Sequence, residues 1–162
     1  MQALILKCRE EKDSIGGSIQ WALTGIPAGL GAPDLDRNVE TILSRHLFAI
    51  PAVKALEFGI GFDICLMRGS QANDPWIPGA HGPETASNHN GGILGGITTG
   101  MPVVFRVGIK PTPSIGKPQS TVTLRDGIAS TLTIQGRHDP CIVHRAVPVV
   151  EAAAALAMTE LV

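Results

Sequence analysis

Three short runs between Gly91 and Cys141 use residue types that a bare hydrophobic core does not need. They are GGILGG at Gly91–Gly96, KPTPS at Lys110–Ser114 and GRHDPC at Gly136–Cys141. Glycine lets backbone approach a ligand closely or take a positive φ, at an entropic cost. Proline fixes the chain around Lys110 and around Asp139. Together they describe a rigid pocket that places one ammonium, one guanidinium and one carboxylate. That is a site for an anionic small molecule.

Each run also has a plainer reading. The glycine pairs form no G-x-G-x-x-G, and Gly116-Lys117 is followed by Pro118 where a P-loop needs Ser or Thr. Turn chemistry and close ligand approach both stay open for them. Lys110 is either a surface residue on a proline-stiffened turn or a phosphate holder. Asp139, flanked by Arg137, His138 and Arg145, is either a structural ion-pair partner or the acid of the site. His138, Cys141 and His144 have a spacing that superficially suits a metal. Pro140 interrupts any helix there, no fourth ligand stands nearby, and His46, His81 and His89 are scattered, so no metal is expected. Cys141 reads as a small buried apolar residue. No G-x-S-x-G elbow competes with Asp139.

Composition bounds the function classes. The 162 residues suit a single domain spanning 1–162, and 44 % hydrophobic content suits a real core. Charged residues make up only 17 %, with a net charge of −1, so there is no basic field for nucleic acid or anionic lipid. Three widely spaced cysteines argue for reduced thiols rather than a disulfide framework. No apolar run approaches the ~20 residues of a membrane span. The opening MQALILKCREEK lacks the basic start and small-residue cleavage site of a signal peptide. These features read as an intracellular, cytoplasmic protein.

The elements that must position these runs follow from periodicity. Residues 2–12 read as a helix ending in a charged turn. Ile19, Trp21 and Leu23 alternate with Ser18, Gln20 and Ala22, which predicts a half-buried strand. Val39, Ile42, Leu43 and Leu47 recur at helical spacing between about Arg37 and Phe48, with Asp34 or Asp36 as the N-cap. A turn at 52–55 and a long strand from Leu56 to Leu66 come next. Residues 69–92 have no period and read as a long mobile loop, a lid or binding segment. Strands are predicted at 103–109, 121–124 and 131–134. A helix over 147–162 closes the chain, with Pro148 in its first turn. The mixture has no regular βαβ period, so the fold class is α+β.

Taken in order, DSIGGSI, PAGLGAP, IPAVKALEFGIGFD, RGSQAND, GGILGGITTGMPVVFRVGIKPTPSI and QGRHDPCIVHRAVPVVEA cover almost the whole chain. This series closely resembles the C-terminal half of the chorismate synthase family. The resemblance implies an α+β fold of antiparallel sheets packed with helices and a homotetrameric assembly. It also implies a 1,4-elimination that converts 5-enolpyruvylshikimate 3-phosphate to chorismate and phosphate, with reduced FMN but no net redox change. The family's flavin-contacting positions fall on Pro51, Ala52, Gly95, Lys110, Pro111, Thr112, Pro113, Ser114 and Arg137. Asp139 matches the acid that relays a proton beside the flavin, and the family's mobile segment matches 69–92. Ala55, Ile60 and His144 stand where the family has Gly, Asp and Pro. The family's G-x-S-H-G histidine segment and arginine-rich substrate site belong to an N-terminal half not matched here. The resemblance thus implies a truncated or split chain, with a separate N-terminal half as a possible partner. A flavin- or anion-binding module without catalysis, and a remnant that only oligomerises, are the alternatives.

Overall fold

The computed structural model describes residues 1–80 and 82–162; His81 lies outside the described residues. Strand β1 (Gly17–Leu23) and strand β2 (Val53–Phe58) flank β7 (Val103–Ile109) in an antiparallel three-stranded sheet of order β1-β7-β2. β7 buries alternate residues: Val103, Phe105, Val107 and Ile109 are all inside, as its period of two requires. Helices α2 (Val39–Phe48) and α4 (Val143–Thr159) pack on each other and close the core. Their contributions are Val39, Ile42, Leu43 and Leu47 from α2, and Val150, Ala154 and Ala157 from α4, all buried. Helix α1 (Gln2–Glu10) leads into β1 and contains no fully buried residue. The fold is therefore α+β with antiparallel pairing throughout the described strands.

Several boundaries move from their sequence-based positions, each for a local reason. α2 is capped by Asn38, whose side chain accepts from Thr41 N at 3.0 Å. Asp34 instead closes the preceding turn, accepting from Asp36 N and Arg37 N at 3.0 and 2.7 Å. The alternation from Leu56 to Leu66 is not one strand. β2 already starts at Val53 and stops at Phe58; Gly59 and Gly61 take φ of 57° and 61°, and Gly61–Leu66 coils into a 3₁₀ turn with Phe62 and Leu66 exposed. α4 begins at Val143, so Pro148 lies in its second turn rather than its first.

The period-free stretch 69–92 has structure of its own. It contains α3 (Gly69–Ala72), the paired strands β3 (Trp76–Gly79) and β4 (Gly82–Thr85), and a strap over 87–92. The strap is gathered by Asp74, which is 6 % exposed. Its carboxylate accepts from Ser87 Oγ at 2.7 Å, His89 N at 2.8 Å, Asn90 N at 2.9 Å and Asn90 Nδ2 at 2.8 Å. Burial alone would push this carboxyl up. The bonds from Ser87, Asn90 and His89 outweigh it and bring the pKa from 3.8 down to about 2.

β5 (Ile93–Leu94) and β6 (Ile97–Thr98) form a two-residue hairpin. Gly95 and Gly96 make its turn with φ of 59° and 81°, values that ordinary residues rarely adopt. β8 (Gln119–Val122) and β9 (Ala129–Leu132) form a further antiparallel ribbon.

Candidate functional site

One segment, residues 12–16, joins the two loops that carry the charged candidates. β7 ends at Ile109, and the chain then enters the proline-stiffened turn. Lys110 N donates to Ala52 O at 2.9 Å, which sets Pro51 and Ala52 beside the lysine. Ala52 holds φ 74°, a left-handed conformation for a residue with a Cβ. Ser14 Oγ donates to Thr112 O at 2.6 Å, and Gly116 N donates to Lys12 O at 3.0 Å. Lys117 Nζ reaches Asp13 Oδ2 at 2.7 Å, and that contact, with the Ser14 backbone N–H, holds the Asp13 carboxyl below its usual range. A Cβ on Gly16 would run into Ile109 O and the Pro111 ring, so glycine is what admits this close crossing.

The same segment holds the second loop. Ile15 N donates to Pro140 O at 2.8 Å. Asp139 Oδ1 accepts from Cys141 N at 3.3 Å, and Oδ2 from Arg145 Nη1 at 3.1 Å. His138 Nε2 meets Ile134 O at 3.2 Å, where the ring nitrogen must be the donor. Cys141 is 3 % exposed, the buried apolar role its sequence indicates. Arg137, Asp139, Arg145, Arg9, Lys12 and Asp13 all line one cleft of about 810 Å³. Among the described residues, no three His, Cys, Asp or Glu side chains converge as metal ligands.

The candidates do not all meet. Pro51, Ala52 and Lys110 to Ser114 lie along one end of the sheet, and Arg137 and Asp139 line the cleft tied to that end. Gly95 lies elsewhere. Its neighbour Gly96 offers its carbonyl to Val39 N at 3.0 Å, at the start of α2, whereas Ala52 follows the end of α2. A ten-residue helix separates them by roughly 15 Å. The other glycines of GGILGG are explained by packing. A Cβ on Gly91 would meet backbone of Gly59, one on Gly92 backbone of Pro102, and one on Gly96 the Asn38 side chain; only around Gly95 is there open space.

Of the departures from the family pattern, Ala55 is accommodated opposite Gly108, and the β2–β7 register shifts between Val53 and Ala55. Arg9, Lys12 and Asp13 are lining residues that the sequence did not single out. Asp13 is 104 residues from its partner Lys117, a separation that no local pattern reports.

Comparison with known proteins places this architecture. The family model for chorismate synthase matches residues 1–162, and the chain belongs to the chorismate synthase family. It is 49 % identical over 154 residues to a chorismate synthase of Thermococcus gammatolerans, covering 95 % of this chain and 43 % of that protein. With a chorismate synthase of Dehalococcoides mccartyi it shares 48 % identity over 161 residues, 99 % of this chain and 44 % of the relative. A crystal structure of chorismate synthase superposes with a TM-score of 0.72 at 28 % identity, covering 97 % of this chain and 39 % of that one. The chain thus spans less than half the length of the relatives it matches. Among the described residues, no helix is long and apolar enough to cross a membrane.

Proposed function

We propose that these residues are the C-terminal part of a chorismate synthase and supply the flavin-facing side of its site. The observation that carries this reading is the common anchoring of the Lys110–Ser114 turn and the Arg137–Asp139 loop on residues 12–16. The reaction is loss of phosphate and a proton from 5-enolpyruvylshikimate 3-phosphate to give chorismate. When bound, reduced FMN supplies transient reducing power for this elimination without net redox change. The residues present suit such a ligand: Thr112 Oγ1 is buried with no partner of its own, ready for a polar ring edge. Lys110 and Arg137 give charge-assisted contacts to anionic groups. Asp139, oriented by Arg145 and the Cys141 N–H, holds or passes a proton at its carboxylate oxygen.

The substrate's phosphate and two carboxylates need more cations than this site offers, so the rest of the substrate contacts come from the remainder of the family's length. We place the whole enzyme in the cytoplasm as a homotetramer. Exposed Val122, Leu124, Ile128 and Leu132 on the β8–β9 ribbon support an assembly surface. The Asp139–Arg145 ion pair favours a second reading, in which Asp139 is structural and the chain is a flavin- or anion-binding module without catalysis.

Flavin titration with Arg137→Ala and Lys110→Ala tests the binding half. Each removes a contact of roughly 1.5–3 kcal/mol, so FMN affinity should fall by about one to two decades. Unchanged titrations for both would show that the flavin positions are misassigned. Turnover should be slight for this chain alone and restored when a matching N-terminal half is co-expressed. Full activity of the isolated chain with reduced FMN would overturn the shared-site reading.

A further inference from the structure

We infer that Arg9 and Lys12 form, with Arg137, a binding site for a phosphate monoester at the α1 end of the cleft. This rests on the anionic-ligand reading above but names residues and a ligand group beyond it. The charge balance of the cleft is the first observation. Its two carboxylates already have cationic partners: Asp13 pairs with Lys117 at 2.7 Å and Asp139 with Arg145 at 3.1 Å. Arg9, Lys12 and Arg137 line the same cleft, and among the described residues no carboxylate pairs with any of them. Three unpaired cations in a concave surface focus a positive field on a chain whose net charge is −1. A group carrying about −1.5 to −2 at neutral pH, as a phosphate monoester does, matches that excess better than a single carboxylate.

The second observation is where Lys12 stands. Asp13 N donates to Cys8 O at 2.8 Å and Lys12 N to Arg9 O at 3.2 Å, the paired bonds that close a helix around a left-handed residue. That left-handed position is usually glycine, yet here it is Lys12 with φ 56°. Gly116 packs directly on the Lys12 side chain; a Cβ there would lie 3.0 Å from Lys12 Cβ. The backbone therefore has no need of the lysine. What the side chain adds is an ammonium on the wall of the cleft, held by a turn that glycine would form with less strain.

The test uses the full chain and the variants Lys12→Gly and Arg9→Gln, with FMN, riboflavin and inorganic phosphate as probes. Lys12→Gly should melt at an equal or higher temperature, up to about 2–4 °C above wild type, because the turn is relieved. Each variant should nevertheless weaken phosphate-dependent binding by about tenfold, the low end for one charge-assisted contact. Weaker FMN with unchanged riboflavin identifies the flavin's own phosphate as the occupant. Unchanged FMN with weaker inorganic phosphate identifies the substrate's phosphate. Wild type binding inorganic phosphate but no flavin would keep this site and remove the flavin reading. FMN bound equally by wild type and both variants, with inorganic phosphate bound by none, would overturn this site and leave the flavin reading intact. Equal losses for FMN and riboflavin would also overturn it, because the contacts would then be to the ring.

Discussion

Replacing Asp74 by Asn should destabilise the fold in a pH-dependent way that isolates one carboxylate. Asp74 is buried, and its two oxygens receive four hydrogen bonds from Ser87, His89 and Asn90. Its pKa falls from 3.8 to about 2, which corresponds to about 2 kcal/mol of stability at neutral pH. Because the folded carboxyl titrates below the unfolded one, this contribution is complete above about pH 4 and is lost as pH falls through about 2. Asn keeps the shape and one acceptor. Its amide nitrogen would face the two donors of Asn90, leaving them unmatched, so we expect a loss of about 3 kcal/mol at pH 7. The difference between wild type and Asp74→Asn should then shrink by about 2 kcal/mol between pH 5 and pH 2, since Asn cannot titrate. Urea unfolding at a series of pH values measures this directly. A gap that stays constant over that range would show that the charge of Asp74 is not what stabilises the 87–92 strap.

Two other substitutions probe the site and the backbone. Asp139→Asn, with a matching N-terminal half present, should cut turnover about 10²–10⁴-fold while leaving FMN affinity and melting temperature nearly unchanged; a variant that unfolds yet keeps its rate per folded molecule would make Asp139 a structural partner of Arg145. Gly59→Ala places a Cβ on His89 O in a left-handed residue, whereas Gly25→Ala at φ 74° meets nothing within 4 Å. Gly25→Ala should cost about 1 kcal/mol and Gly59→Ala clearly more, read as urea midpoints; equal shifts would mean that the strap backbone yields freely.

The parts legible in the sequence are those whose order is local. Alternation in Ile19, Trp21 and Leu23 and in Val103 through Ile109 identified two of the three sheet strands, because one buried face imposes a period of two. The stripe Val39, Ile42, Leu43 and Leu47 identified α2. Alternation misled beyond Phe58, where two positive-φ glycines break the strand while the apolar pattern runs on to Leu66. The 87–92 strap gave no signal because its order comes from a single buried carboxylate gathering donors thirteen to sixteen residues away. For the site, Lys110, Arg137 and Asp139 were visible through their motifs. Arg9 and Lys12 were not, since what makes them site residues is closure of the cleft around them.

That closure depends on sheet register more than on any side chain of the site. Residues 12–16 precede β1 directly, and Gly17 pairs with Ile109 at the end of β7. The Lys110–Ser114 turn therefore starts where residues 12–16 cross it, and Ile15 in that segment holds Pro140 beside Asp139. A slip of one residue between β1 and β7 would turn Ile19 outward and shift residues 12–16 by about 3.3 Å against both loops at once. Ile19, buried against β7, opposes that slip, since it would leave the core. The same hydrophobic alternation that builds the sheet thus fixes the spacing between the lysine turn and the carboxylate loop.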